Sequence, residues 1–190
     1  MSEAAETVLD LVRSASPTLG SGHLVCIDGP AGSGKTTLAA ELAALEPSAT
    51  VVHADDLLAG WDGLAGLAGT LEVLLRDLAA GRPGRWRRWD WHADDWAEWH
   101  DVSPGGLLVL EGVGTGAPAY ADLVTVLVWV DADADVRLAR GVERDGEMLR
   151  EHWLRWRAEE DHLHTRDRTA ARADLRVDGQ SEGRVSRSAR

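Results

Sequence analysis

Apolar residues follow two rhythms along this chain. Val8, Leu9, Leu11 and Val12, with Glu3 and Glu6 ahead of them, mark an amphipathic first helix that Pro17 and Gly20 end. His23 to Asp28 is a short apolar run of the kind a strand buried on both faces requires. Thr36 to Leu45 is rich in helix formers and stops before Pro47. Ala49 to His53 reads as a second strand, broken by Ala54-Asp55-Asp56, and Leu64 to Ala80 reads as a helix. Leu107 to Glu111 is a third strand bracketed by Pro104-Gly105-Gly106 and by Gly112, Gly114 and Gly116. Val124 to Val130, the most β-branched run, is expected to be a central buried strand. Asp133 to Arg144 and Glu151 to Arg166 follow as helices, with Asp131 or Asp133 available to cap the first, and Asp174 to Val177 is a last short strand.

Strands alternating with helices predict an α/β fold: three layers, a central parallel sheet and flanking helices, with the functional loops gathered at the carboxyl ends of the strands. The expected domain covers residues 1–178, with residues 145–150 as a short lid and 179–190 as a flexible tail. Gly81 to Ser103 does not fit the rhythm. It holds Trp86, Trp89, Trp91, Trp96 and Trp99, five of the nine tryptophans, and reads as an insertion over 81–103.

Composition narrows the function classes. A chain of 190 residues suits one domain, and its 44% hydrophobic and 27% charged residues are ordinary globular values. The net charge of −12 argues against a nucleic-acid polymer as partner. Cys26 is the single cysteine, set among apolar neighbours, so it reads as a buried inert thiol and no disulfide framework is available. No apolar stretch approaches the ~20 residues that span a bilayer. Met1 to Ser16 carries acidic residues where a signal peptide would be basic, so the expectation is a soluble, cytoplasmic protein with no membrane partner.

The only lysine, Lys35, lies in Gly29-Pro30-Ala31-Gly32-Ser33-Gly34-Lys35-Thr36, a full match to the phosphate-cradling pattern of P-loop NTPases, placed between a strand and a helix. Backbone N–H groups of Gly29, Ala31, Gly32, Ser33 and Gly34 would surround phosphate oxygens, Lys35 would hold the β- and γ-phosphates of ATP, and Thr36 would ligate Mg²⁺. Thr37 is placed at the α-phosphate by analogy. Asp55 and Asp56 come just after the second strand, where a carboxylate can take a proton from an attacking hydroxyl. Asp55 is preferred because it leaves the strand first, and a solvated turn is the other reading of the pair. Glu111 ends the third strand and joins Thr36 and Asp55 as a candidate Mg²⁺ ligand. Arg137, Arg140 and Arg144 share a helix face. Arg140 and Arg144 are candidates to stabilise the transferring phosphoryl group and Arg137 to bind the nucleotide, against the alternative of a solvated face. Arg166, Arg168 and Arg172 are left between the base of ATP and the surface.

With those residues in place, the chain resembles the uridine kinase-like branch of the P-loop kinases, the group that includes pantothenate kinase and phosphoribulokinase. The likeness rests on Gly29 to Thr37, on Val51-Val52-His53-Ala54-Asp55-Asp56, on Leu110-Glu111-Gly112, and on Val130 to Asp145, which is close to that group's strand-helix-lid signature. It implies an ATP- and Mg²⁺-dependent kinase acting on a hydroxyl of a small molecule, with a nucleoside as the reference acceptor. Arg88-Trp89-Asp90-Trp91-His92 looks similar to the stretch with which uridine kinases contact the nucleoside. The resemblance makes Asp90 a candidate for sugar hydroxyls, His92 or a tryptophan a candidate for stacking, and Asp55, Asp56, Arg88, Trp89 and Glu111 the rest of the acceptor side. Leu57-Leu58 replaces the aromatic pair that uridine kinases carry after the aspartate. Ile27 to Lys35 also looks like the opening of cytidylate kinases, whose monophosphate acceptor would need Arg85, Arg87 and Arg88. Two further readings stand beside these: a nucleotide-dependent switch without a small acceptor, and tryptophans that serve core packing or a homodimer surface.

Overall fold

A computed structural model describes residues 2–180 and 184–187. Helix α1 (Glu3–Ser14) precedes β1 (His23–Asp28), α2 (Lys35–Leu45) and β2 (Thr50–His53), after which a 3-10 turn carries Ala54–Leu57. Helix α3 (Leu64–Ala79), a β3 (Gly84–Asp90) and β4 (Asp95–Val102) hairpin and β5 (Leu107–Glu111) follow. Then come β6 (Val126–Asp131), α4 (Ala134–Asp145), α5 (Arg150–Asp167), α6 (Thr169–Arg172), β7 (Leu175–Asp178) and β8 (Arg184–Arg187).

The main sheet has the order β2-β5-β1-β6-β7-β8, parallel except for β8. Successive side chains of β1 alternate between two cores. Leu24 and Cys26 join Leu108, Leu110, Leu127 and Trp129 under α3 and α5. Val25 and Ile27 join Val109, Val126, Val128 and Val130 under α1 and α2. Covering both faces is what makes these strands continuous apolar runs. It also brings Asp28, His53, Glu111, Asp131 and Asp178, each the last residue of its strand, to one edge. Cys26 is buried as expected, and burial pushes its thiol far above its usual range. No described helix is long and apolar enough to cross a membrane.

Three features depart from the sequence reading. Residues 81–103 form an antiparallel hairpin with a register shift between Arg87 and Trp89, packed on α3 and on the Ala54–Leu57 turn. Within the expected flexible tail, Arg184–Arg187 pairs antiparallel with β7, and Val185 packs against the α1–α2 core. An unpaired strand edge offers backbone partners whatever the side chains, which composition alone does not register. Residues 181–183 and 188–190 of that tail lie outside the described residues. Finally, Asp133 is the residue before α4 but its side chain caps nothing, and Asp131 Oδ1 instead accepts from the Ala132 N–H at 2.9 Å.

Candidate active site

The glycine-rich loop leaves β1 at Gly29, whose φ of 145° suits glycine alone; a Cβ there would lie 2.0 Å from the Val130 carbonyl oxygen. Asp28, fully buried, fixes the strand end. Its Oδ1 accepts from the Gly29 N–H at 2.7 Å and the Gly114 N–H at 2.9 Å, its Oδ2 accepts from the Gly116 N–H at 2.9 Å, and His164 Nε2 lies 3.1 Å from Oδ1. The loop after β1 and the loop after β5 are thus tied to one carboxylate. Lys35 is buried at the start of α2 and its Nζ donates to the Pro30 carbonyl at 2.9 Å. Thr36 Oγ1 donates to Glu111 Oε1 at 3.2 Å, and His53 Nδ1 sits 2.5 Å from the same oxygen. That hydrogen bond holds the His53 imidazole above its ordinary range, against the opposing effect of partial burial.

Asp55 and Asp56 start the 3-10 turn after β2, and they face different neighbours. Asp55 stays accessible to water but is hemmed in by protein, and this lost hydration raises its carboxyl above the ordinary range. Lys35 and Arg144 oppose that shift, while Glu111 and Asp56 add to it. The charges that act on Asp56 come instead from His53, Arg88, His100 and Glu111. Of the two, Asp55 is the one set against the lysine of the loop. The indole N–H of Trp91 donates to the Asp55 carbonyl at 3.1 Å, locking the tip of the hairpin to the acidic turn.

The three α4 arginines do three different things. Arg137 is buried: its Nε donates to the Ala132 carbonyl at 3.0 Å and its Nη1 to Glu160 Oε1 at 2.9 Å. Glu160, on α5, accepts the Ala31 N–H through its other oxygen at 2.8 Å, so a buried ion pair holds the phosphate loop. Arg140 bridges two carbonyls, Gly32 at 3.1 Å and Gly179 at 3.0 Å, joining that loop to the end of β7. Arg144 lies at the exposed end of α4, paired with Asp145 at 2.8 Å and placed over the Trp153 ring, and its charge is felt at both Asp55 and Glu111. Helices α4 and α5 meet closely at Gly141, where a Cβ would come within 2.6 Å of the Trp153 indole. Arg166 pairs with Asp167, Arg168 has a left-handed backbone between α5 and α6, and Arg172 Nη1 donates to the Gly116 carbonyl at 2.8 Å.

On the hairpin, Asp90 is engaged by the turn itself. Its Oδ1 accepts from the His92 and Ala93 N–H groups at 3.0 Å and its Oδ2 from Arg88 at 3.3 Å, which together hold it below the ordinary carboxylate range. His92 is exposed in that turn. Arg88 also pairs with Glu98 at 2.7 Å, Arg85 pairs with Asp101 at 2.8 Å, and Arg87 donates to the Trp96 and Ala97 carbonyls. Trp86 is buried and stacked on His100 at 4.4 Å, so it belongs to the core, whereas Trp89 and Trp91 line a cavity of about 500 Å³. That cavity is closed on the far side by residues 59–62 and by His152 and Trp156 of α5. A second cavity, of about 480 Å³, lies beside the loop at Gly34 and Thr37 and reaches Asp178 and Gly179.

Sequence reasoning missed Asp28, Glu160 and His164. Glu160 left a readable signal, because Trp153, Trp156, Glu160, Leu163 and Asp167 form the buried stripe of α5 and two of them are acids. Among the described residues, no three His, Cys, Asp or Glu side chains converge as a metal cage. Mg²⁺ does not ask for one, since it is held by one or two protein oxygens together with water and phosphate. The adjacent oxygens of Thr36 and Glu111 fit that demand.

Residues 63–152 match the Phosphoribulokinase / Uridine kinase family, a span that runs from the start of α3 through the hairpin and β5 to the start of α5. Two curated relatives from Arabidopsis thaliana, Uridine kinase-like protein 5 and Uridine kinase-like protein 3, are 44% and 47% identical over 45 residues. Those 45 residues are 23% of this chain and only 10% of each relative. A possible uridine kinase from Bacillus stearothermophilus has the same fold, with a TM-score of 0.62 at 19% identity over 92% of this chain and 97% of the other. A putative fructose transport system kinase from Silicibacter sp. TM1040 superposes with a TM-score of 0.54 at 22% identity, covering 87% of this chain and 88% of that one. The chain therefore has the P-loop kinase fold, and its likeness to uridine kinase-like proteins is carried by sequence as well as by shape.

Proposed function

We propose that this chain is a Mg²⁺-dependent kinase that transfers the γ-phosphoryl group of ATP to a hydroxyl of a small molecule. Its likeness to uridine kinase-like proteins makes nucleosides the first acceptors to test. The reading rests on one observation: the charge of Lys35 acts on the Asp55 carboxyl, and the Asp55 carbonyl accepts from the indole N–H of Trp91, which lines a tryptophan-walled cavity. A nucleotide-dependent switch has no use for such a cavity beside its phosphate site.

In this reading the loop amides of Gly29 to Gly34 and the amino end of α2 cradle the phosphates, and Lys35 exchanges the Pro30 carbonyl for phosphate oxygens. Among the described residues the buried hydroxyl of Ser33 has no hydrogen-bond partner, which leaves it available to a phosphate oxygen. Ribose and base of ATP occupy the cavity beside Thr37 and Gly179. Thr36 and Glu111 would hold Mg²⁺, which would supply charge neutralisation to the phosphates, with His53 orienting the Glu111 carboxylate. The acceptor oxygen attacks the γ-phosphorus, the bond to the β–γ bridging oxygen breaks, ADP leaves, and the hydroxyl proton passes to Asp55. A carboxyl raised above its ordinary range is a better base than a solvated one. Arg144, whose charge interacts with those of Asp55 and Glu111, lends positive charge to the transferring group. Arg137 and Arg140 position the loop.

The hairpin arginines support a hydroxyl acceptor over a nucleoside monophosphate. Arg85 and Arg88 are paired with carboxylates and Arg87 with strand carbonyls, so an acceptor phosphate would have to break those contacts. The test is ADP release with a panel of nucleosides, sugars and small alcohols under ATP and Mg²⁺. At least one should be phosphorylated, with turnover lost in Asp55→Ala while ATP still binds. Slow ATP hydrolysis that no acceptor accelerates would sink the kinase reading.

A further inference from the structure

The cavity joined to Asp55 through Trp91 is lined by tryptophans and by more carboxylates than cations. A planar base is held best between parallel aromatic faces. Here Trp61 meets Trp91 edge to face at 71° with centroids 5.6 Å apart and Trp156 at 78° with centroids 5.9 Å apart, while the His152 ring already lies over Trp61 at 5.4 Å and 31°, so the indoles make an aromatic lining whose one near-parallel partner is filled. Around that lining stand Asp62, Asp94 and Glu159, against the single cation Arg155, which is turned to His152 at 3.2 Å. Among the described residues none of those three carboxylates has an ion-pair partner. Indole faces at right angles with uncompensated carboxylates at the rim suit a compact cation, because ring quadrupoles and negative charge attract the same ligand. Trp89, in the same wall, has its indole N–H buried without an acceptor among the described residues, a place for one oxygen of the ligand.

We propose that the acceptor carries a protonated or quaternary amine next to the hydroxyl that is phosphorylated: an amino alcohol, an amino sugar or an amino nucleoside. The proposal rests on the kinase reading of the site and narrows its substrate. The cage holds the ammonium group, Trp89 donates to an oxygen of the acceptor, and the reacting hydroxyl projects past Trp91 toward Asp55.

The experiment compares matched pairs that differ in charge but little in shape. These are choline with 3,3-dimethylbutan-1-ol, glucosamine with glucose, and 3′-amino-3′-deoxyadenosine with adenosine, with uridine alongside. Binding is read by quenching of tryptophan fluorescence, and turnover by ADP release with ATP and Mg²⁺. The expected result is at least tenfold tighter binding and faster turnover for the cation of at least one pair, reduced to under threefold in Asp94→Asn/Glu159→Gln, whose changed residues are exposed and leave the core untouched. Neutral members or uridine phosphorylated as well as the amines would overturn the cationic acceptor and leave the kinase intact. Amines that bind but are never phosphorylated would overturn the cage as an acceptor site. Silence of every compound in both readouts would overturn the cage and count against the kinase reading too.

Discussion

Glu160 gives the sharpest test of how this site is built. It is fully buried, and its two oxygens are divided between Arg137, at 2.9 Å, and the Ala31 N–H of the phosphate loop, at 2.8 Å. Glu160→Ala leaves a buried guanidinium without its counter-charge, which costs about 3–5 kcal/mol, and orphans a backbone donor. For a domain of this size that is a fall in Tm of roughly 6–20 °C, at about 2–4 °C per kcal/mol. Glu160→Gln keeps one acceptor and is expected to lose about 1–2 kcal/mol. Burial raises the Glu160 carboxyl above its ordinary range, opposed by the Ala31 N–H, Lys35, Arg137 and His164. An acid raised on folding contributes stability that is fully present below its unfolded value, near pH ~4.3, and that is lost as pH rises through the folded value. The stability of the wild type relative to Glu160→Gln should therefore fall across that window and level off above it. Denaturant unfolding over a pH series measures this, and KM for ATP reports the loop. The double variant Arg137→Met/Glu160→Leu should recover much of the stability, since apolar residues can replace a buried pair, but not the KM. The reasoning is refuted if Glu160→Ala costs under about 1 kcal/mol and leaves KM for ATP unchanged.

Other outcomes follow from the same geometry. Asp55→Ala should lower kcat by about 10²–10⁴-fold with ATP affinity retained, measured by ADP release and nucleotide titration; an unchanged kcat would remove Asp55 as the base. Trp91→Phe deletes the hydrogen bond to the Asp55 carbonyl and should raise the acceptor KM severalfold while KM for ATP stays put. Asp28→Ala leaves three backbone N–H groups without their acceptor and should destabilise by roughly 3 kcal/mol or more, with Asp28→Asn milder; equal, small losses in both would contradict its buttressing role. Because Lys35 is the only lysine, an amine-reactive ATP analogue can modify only that residue and the amino terminus; peptide mapping should find Lys35 labelled and protected by ATP.

Much of this arrangement could be read before the structure, and what escaped has physical reasons. Strands buried on both faces write themselves as apolar runs, so β1 and β5 have the expected bounds, and Thr36 of the loop motif meets Glu111. The hairpin escaped because its alternation is broken by the register shift at Arg87 and its polar positions are charged or aromatic. Asp28 escaped because its partners, Gly114 and Gly116, lie 86 and 88 residues away and are backbone groups that no side chain announces. The sequence puts the α4 arginines on one face, with Arg140 and Arg144 expected at the phosphoryl group and Arg137 at the nucleotide; packing makes them a buried anchor, a bridge between carbonyls and one charge that acts on Asp55 and Glu111.

Helix α5, which the sequence marked only as a helix, couples the two halves of the site. His152, Trp156, Glu160 and His164 recur every fourth residue and so form one ridge, about 18 Å long at ~1.5 Å per residue. Its first two members wall the acceptor cavity, the third holds Ala31 of the phosphate loop, and the fourth meets Asp28 at the end of β1. A ridge anchored at its middle and far end by buried polar contacts cannot slide by a fraction of a turn without breaking them. The cavity wall is therefore fixed in register with the glycine-rich loop, and in the proposed reaction the separation between acceptor and donor would be set by the pitch of one helix. Arg144 is outside that constraint: it rides on the exposed end of α4, joined to α5 through Trp153 and Asp145. In the proposed reaction, positioning and charge stabilisation would thereby fall to different parts of the fold, the first to the α5 ridge and the second to the exposed end of α4.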